Sequence, residues 1–266
     1  MTLSLRHPFG WVLLVLSIAS FIYLLGPLVV IIIASFGDTG YIAFPPQGLS
    51  LRWYRAALAN PRYVEGFLTS VKIAGIVTIV SCILGSAAAF ALTRYQFRGR
   101  GALEALFLSP LILPGLVLAV ALTIFFSRVP LASGTDRLIL AHLVICVPCV
   151  IRVMIPVLQR FDRSIEEAAQ NLGASPLLTF VLVTVPALRP GFFAAAALAF
   201  ILSFDEVEMA VFLASPRNPP LTVVLYGQSQ LAFDPSLAAV SALLILVVFV
   251  GMLIYEALRM TSRFRT

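Results

Sequence analysis

Long apolar runs without polar alternation dominate the chain, and short polar segments separate them. A stretch must cross about 30 Å of hydrocarbon at about 1.5 Å per residue to span a bilayer. On that measure the pattern predicts about six membrane helices, over residues 11–35, 67–93, 104–127, 138–158, 191–213 and 236–259. In lipid each backbone polar group must be paired inside its own segment, so uninterrupted runs of this length predict helices rather than strands. The expected fold is all-α and polytopic, one transmembrane domain over residues 1–266. The first run could serve as a cleaved leader, but it is longer than a usual signal core and no small-residue cleavage pattern follows it, so it reads as a retained helix.

Composition agrees with this pattern. The sequence is 61% hydrophobic and only 11% charged, too few ionic groups to coat a soluble domain of this size. The arginines fall unevenly. Arg6, Arg94, Arg98, Arg100, Arg152, Arg160, Arg163, Arg189, Arg259, Arg263 and Arg265 lie on one side of a six-helix arrangement. Arg52, Arg55, Arg62, Lys72, Arg128, Arg137 and Arg217 lie on the other. The positive-inside rule then predicts that both termini face the cytoplasm. Topology accounts for the net charge of +6, and no basic patch interleaved with aromatics points to nucleic acid.

Chemistry-bearing clusters are few. Cys146 and Cys149 form a Cys-x-x-Cys spacing without a second pair, and with Cys82 they read as small apolar core groups. His142 reads as a hydrogen-bonded structural residue. There is no Gly-x-Ser-x-Gly elbow and no His-Glu-x-x-His pair, so an enzyme finds no catalytic or metal site to stand on. Nor is there a Walker A nucleotide motif, since that loop needs lysine between Gly and Ser or Thr, and the only lysine, Lys72, lies between Val71 and Ile73.

Local signals mark the connections. Phe44-Pro45-Pro46-Gln47-Gly48 predicts a turn leading into a short interfacial helix at Leu51-Arg52-Trp53-Tyr54. Pro110 and Pro114-Gly115 predict a bend in the third helix, as a kink or as part of a gate. The loop over residues 159–189 is the most patterned. Ser164 and Glu167 have the form of a capping box opening a short helix, Gly173 is suited to close it, and Ser175-Pro176 opens another. Ile165, Ala168, Ala169 and Leu172 share one face of that helix, with Glu166, Glu167, Gln170 and Asn171 on the others. Such a face packs back on its own membrane helices or enters a groove on a partner.

A second cluster is Asp205, Glu206 and Glu208 in the predicted fifth helix. If that helix is unbroken from Gly191, Asp205 lies about 21 Å along it. Asp205 and Glu208 then share a face and Glu206 points about 100° away. An acid at bilayer depth costs about 2.5–3.5 kcal/mol on insertion scales, so these side chains are expected to avoid lipid. They line a translocation path or its gate, pair with an arginine of a neighbouring subunit, or reach the aqueous interface.

Glu167-Ala168-Ala169, Gly173 and Val183-Thr184-Val185-Pro186 resemble the loop signature of ABC importer permeases: Glu-Ala-Ala, three residues, Gly, nine residues, then apolar-x-apolar-Pro. Leu108-Ser-Pro-Leu-Ile-Leu-Pro-Gly115, the stretch from Pro45 to Tyr54, and Ser203-Phe204-Asp205-Glu206 are similar to the spermidine/putrescine branch. Asn171 departs from the Asp often found before Leu-Gly in that signature. The resemblance implies a type I importer fold and a heterodimer with a second permease. It also implies two cytoplasmic ATPases carrying ATP and Mg, and an external solute-binding protein. It implies no cofactor on this chain. It further implies that Glu166, Glu167, Ala168, Ala169, Leu172 and Gly173 form the ATPase-coupling helix, and that the solute is a polyamine or another small organic compound. A secondary transporter would account for the intramembrane acids but not for the patterned loop.

Overall fold

The structure, a computed structural model, describes residues 8–129, 134–231 and 234–263. Arg6 and Arg265, counted above for orientation, lie outside them. The described residues are helical with short connections and no strand. They divide into two compact units, one drawn from Met1–Val64 with Leu225–Thr266 and the other Glu65–Val224.

In the first unit, helices α1 (Pro8–Ala34), α2 (Arg52–Ala59) and α13 (Pro235–Arg263) pack together, with α13 touching both of the others. The expected short helix after the Pro45-Pro46 turn is α2. It is anchored by Tyr54, whose hydroxyl meets Ser35 Oγ at 2.5 Å, and by Trp53, whose indole N–H donates to the Thr39 carbonyl at 3.2 Å. Arg52 lies over the Trp53 ring at 4.4 Å. An amphipathic helix with an aromatic and cationic edge is suited to a membrane surface.

The second unit holds the main core. It contains most of α3 (Pro61–Arg94), then α4 (Arg100–Leu108), a 3₁₀ turn (Ser109–Leu111), α5 (Gly115–Arg128) and α6 (Gly134–Gln159). The short α7 (Ser164–Asn171) and α8 (Pro176–Thr179) follow, then a π turn (Phe180–Thr184) and α9 (Val185–Ala187). Next come α10 (Arg189–Phe204), α11 (Glu208–Leu213) and the start of α12 (Leu221–Leu231). Helix α6 is central, burying Ala141, Ile145, Cys146, Val150, Ile151 and Met154. Against it lies a stripe of small residues on α10, Gly191, Ala195, Ala199 and Ser203, spaced by four and all buried. The opposite side of α10 turns Phe193, Leu198 and Ile201 outward. Small residues inside and large apolar ones outside is the arrangement expected where the solvent is lipid and helices associate through close contact.

Among the described residues four helices are each long and apolar enough to cross a membrane: Trp11–Ala34, Pro61–Arg94, Gly134–Gln159 and Pro235–Leu253. Two bent pairs raise the number to as many as six. The prolines of the third predicted helix do bend it, by 99° between Arg100–Leu111 and Gly115–Arg128. The fifth departs further from expectation. It is bent by 66° between Pro176–Ala187 and Arg189–Phe204, so the apolar segment begins before Gly191 and the polar loop ends near Ser175. Helix α10 also stops at Phe204, and residues 205–207 interrupt it before α11. Helix α12 follows a proline pair, Pro219-Pro220, and was not expected from the apolar pattern.

Candidate functional site

Two regions of the second unit carry the candidate residues. The first is α7 and its flanks. The expected Ser164–Glu167 capping box does not form, because Arg163 occupies the N-cap position and Ser164 is already helical. The free N-terminal donors are met instead by Asp162, whose Oδ1 accepts the Ser164 N–H at 3.0 Å. The backbone N–H and the hydroxyl of Ser164 hold the Asp162 carboxyl below its ordinary range. The C-terminal signal reads as expected. Gly173 has φ +94°, its N–H reaches the Gln170 carbonyl at 2.9 Å, and the Ala174 N–H reaches that of Ala169 at 3.1 Å. These two bonds form a Schellman motif that only glycine enters without strain. Ser175 then caps α8, its Oγ accepting the Leu178 N–H at 3.3 Å, with Pro176 in the first turn.

The helix presents an unexpected face inward. Glu166, assigned by spacing only to a face other than the apolar one, is turned into the unit, where Arg94 Nη2 donates to its Oε1 at 2.7 Å. The two side chains are only 10% and 17% exposed. Buried Thr184 donates its hydroxyl to the same oxygen at 2.5 Å. The apolar face looks outward: Leu172 is 90% exposed, and Ile165, Ala168, Leu177 and Leu178 are exposed beside it. Ala169 is half-buried, while Glu167 and Gly173 are exposed. Of the two placements open to the apolar face, packing back on the chain's own helices is not the one adopted by Ile165 and Leu172.

The second region is the interruption at residues 205–207. Because the helix ends, Asp205 and Glu208 do not share a helical face. Glu206 Oε1 instead accepts the Met209 N–H at 3.0 Å, capping α11, and the Glu206 carbonyl accepts the Thr222 hydroxyl at 3.3 Å. Asp205 and Glu208 are exposed and Glu206 is half-buried. Asp205 and Glu206 line a small cavity of about 190 Å³ with Leu198, Ile201 and Leu202. The Glu208 carboxylate packs directly on Gly115 at the start of α5, where any Cβ would collide with it. The helix break foreseen at Pro114-Gly115 and the unforeseen one at Asp205 therefore meet, since α11 lies along α5. Just below the interruption, His142 Nδ1 and Ser203 Oγ are 2.8 Å apart, tying α6 to the last turn of α10.

Sequence reasoning missed two parts of this arrangement. Arg94 had been counted only for orientation, although it is the ionic partner of Glu166 across 72 positions. Thr184 had been an unspecified position in the loop signature. The break at Asp205 had a signal that was present but unread, three acids within an apolar run without the alternation that would place them on one face.

The family described as binding-protein-dependent transport system inner membrane component matches residues 81–261. The putrescine transport system permease protein PotI of Escherichia coli K12 is 31% identical over 247 residues, covering 90% of this chain and 86% of that one. The spermidine/putrescine transport system permease protein PotC of the same organism is 27% identical over 229 residues, covering 86% of each. Among solved structures, a chain of the bacterial alginate ABC transporter in complex with an alginate pentasaccharide-bound periplasmic protein superposes with TM-score 0.65 at 14% identity. That match spans 91% of this chain and 92% of the other.

Proposed function

Since the chain belongs to the family of binding-protein-dependent transport inner membrane components, a membrane-embedded permease and not an enzyme, we propose that it forms half of the path of a polyamine importer. Two partner ATPases carrying ATP and Mg drive it, and a second permease completes the path. A binding protein outside the inner membrane delivers putrescine or spermidine. The observation that carries the reading is α7, a helix held to the body by a largely buried ion pair while its apolar Ile165, its C-cap Leu172 and the neighbouring Leu177 of α8 stand in the open. An exposed apolar patch on a short, rigidly capped helix has the form of a surface awaiting a groove. In this reading Glu167, Ala168, Ala169, Leu172 and Gly173 contact the ATPase.

The solute class rests on the polyamine permeases among the relatives and on the acids at the helix break. Asp205, Glu206 and Glu208 would face the path and attract a compact organic cation, a role that offsets the cost of keeping carboxylates near bilayer depth. The arginine distribution supports placing α7 and both termini on the cytoplasmic side. The test is ATP-dependent uptake of labelled putrescine and spermidine by the co-expressed complex in proteoliposomes with its binding protein, Glu167→Arg serving as the uncoupled control. Uptake that is lost in the control is the expected result. If polyamines are not taken up while the ATPases stay bound, the solute assignment fails and the importer assignment stands.

A further inference from the structure

Four groups converge under α7. Arg94 is the last residue of α3, Glu166 lies in the first turn of α7, Thr184 ends the π turn before α9, and Phe161 closes the connection from α6. The Arg94 guanidinium lies 5.2 Å from the Phe90 ring and 5.6 Å from the Phe161 ring, so two aromatic faces flank the ion pair. Arg163 donates to the Thr93 carbonyl at 3.3 Å, meeting one of the free acceptors at the end of α3. The π turn adds a residue to the local register and sets the Thr184 hydroxyl towards α7. Taking a carboxylate and a guanidinium out of water is costly, and leaving either one unpaired there is more so. The cluster therefore resists being pulled apart.

We propose that Glu166 is a positioning residue, a buried strut that carries movement of α7 to the end of α3 and, through Thr184, to the bent α8–α10 arm. This rests on the reading of α7 as the coupling helix but assigns Glu166 a different part from Glu167. Glu167 faces outward towards the ATPase, and Glu166 faces inward towards the membrane helices. The strut joins the two halves of the loop signature, since Glu166 directly precedes Glu167-Ala168-Ala169 and Thr184 directly precedes Val185-Pro186. It also gives the 66° bend of the α8–α10 arm a consequence: a push on Thr184 acts on the short limb of a bent lever whose long limb, α10, ends at Asp205.

The test uses the whole complex in proteoliposomes and reads three quantities: ATPase subunits retained on purification, ATP hydrolysed, and polyamine transported per ATP. Glu166→Gln keeps the size and a hydrogen-bond acceptor for Thr184 but removes the charge. It is expected to retain the ATPases and hydrolyse ATP while transport per ATP falls about tenfold, within the usual range of coupling between sites. Thr184→Val is expected to lower the ratio about threefold. The exchange Arg94→Glu with Glu166→Arg should recover part of it. A defect in folding alone would reduce hydrolysis and transport together and leave their ratio unchanged. An unchanged ratio in both Glu166→Gln and Thr184→Val overturns the strut, as does loss of the ATPases in Glu166→Gln, which would make Glu166 a docking residue. Full retention of ATPases and full uptake in Glu167→Arg would instead overturn the reading of α7 on which the strut rests.

Discussion

Glu166 and Asp205 bring the same carboxylate into opposite surroundings. Around Glu166 the acid is turned inward, paired with Arg94 and Thr184, while apolar Leu172 and Ile165 are left outside. At the interruption after α10, Asp205 and Glu208 stand exposed, and Met209, Ala210 and Leu213 of α11 are buried while its Val211 and Phe212 face outward. Each region leaves outside what its partner is to meet. An apolar surface beside a membrane suits a protein groove, and exposed carboxylates beside an apolar wall suit a cation or a cationic partner group. The charge that ties α7 to the fold is largely buried and paired, and the charges proposed to meet a solute are not.

The contrast can be broken from either end. The largest effect is expected at the outer face of α7. The Leu172 side chain is 90% exposed, so Leu172→Asp leaves the buried core in place at no more than the small cost of a negative charge at a helix C-terminus. Yet a charge in the centre of the proposed docking patch should lower ATPase retention tenfold or more, about the loss of one interface hot spot. Retention at the wild-type level would remove Leu172 from the interface. Next is the meeting of the two helix breaks. Gly115→Ala places a methyl where the Glu208 carboxylate packs. That carboxylate is the far end of an exposed, flexible side chain and can swing aside, so the cost lies at the low end for overpacking, about 1 kcal/mol, and uptake is expected to fall about fivefold. The double variant with Glu208→Asp should recover it, and a double variant no better than the single would show that the contact is not what limits uptake.

A smaller effect is expected for Asp205→Asn, which keeps the shape and removes one attracting charge. Uptake should fall about threefold at low solute concentration, with assembly intact. Unchanged uptake would take Asp205 out of the path and leave it a surface residue of the break. The smallest concerns Asp162. Its carboxyl is held below its ordinary range by the Ser164 N–H and hydroxyl, so the folded state favours the ionised form. Its contribution to the start of α7 is therefore complete above the ordinary carboxylate range, about pH 4, and is lost as pH falls through the lower folded value. Amide exchange in the first turn of α7 should be independent of Asp162 protonation from neutral pH down to that range. Asp162→Ala should speed it throughout.

Much of this molecule was legible one-dimensionally. The apolar runs foretold where membrane helices lie because lipid allows the backbone so few alternatives. The turn glycine at 173, the Ser175-Pro176 start and the prolines at 110 and 114 foretold local geometry because their effects act through neighbouring residues. The loop signature placed α7 in the right segment. Its orientation was not legible, because helical spacing says which residues share a face and not which face looks inward. The apolar stripe of Ile165 and Leu172 left open whether it packs on the chain's own helices or on a partner, and in the fold it faces outward while Glu166 faces in to Arg94.

The sequence by itself determined the class of solvent, the approximate position of the membrane helices, the C-terminal cap of α7 and the family, all of which depend on composition or on contacts a few residues apart. Only the tertiary structure decided that Glu166 meets Arg94 and Thr184, that Gly115 seats Glu208, and that α10 ends at Asp205. Those outcomes depend on helices distant in sequence reaching the same place. A buried charge takes its partner from whatever the packing brings within about 3 Å, and that distance is set by the assembled helices rather than by any one of them.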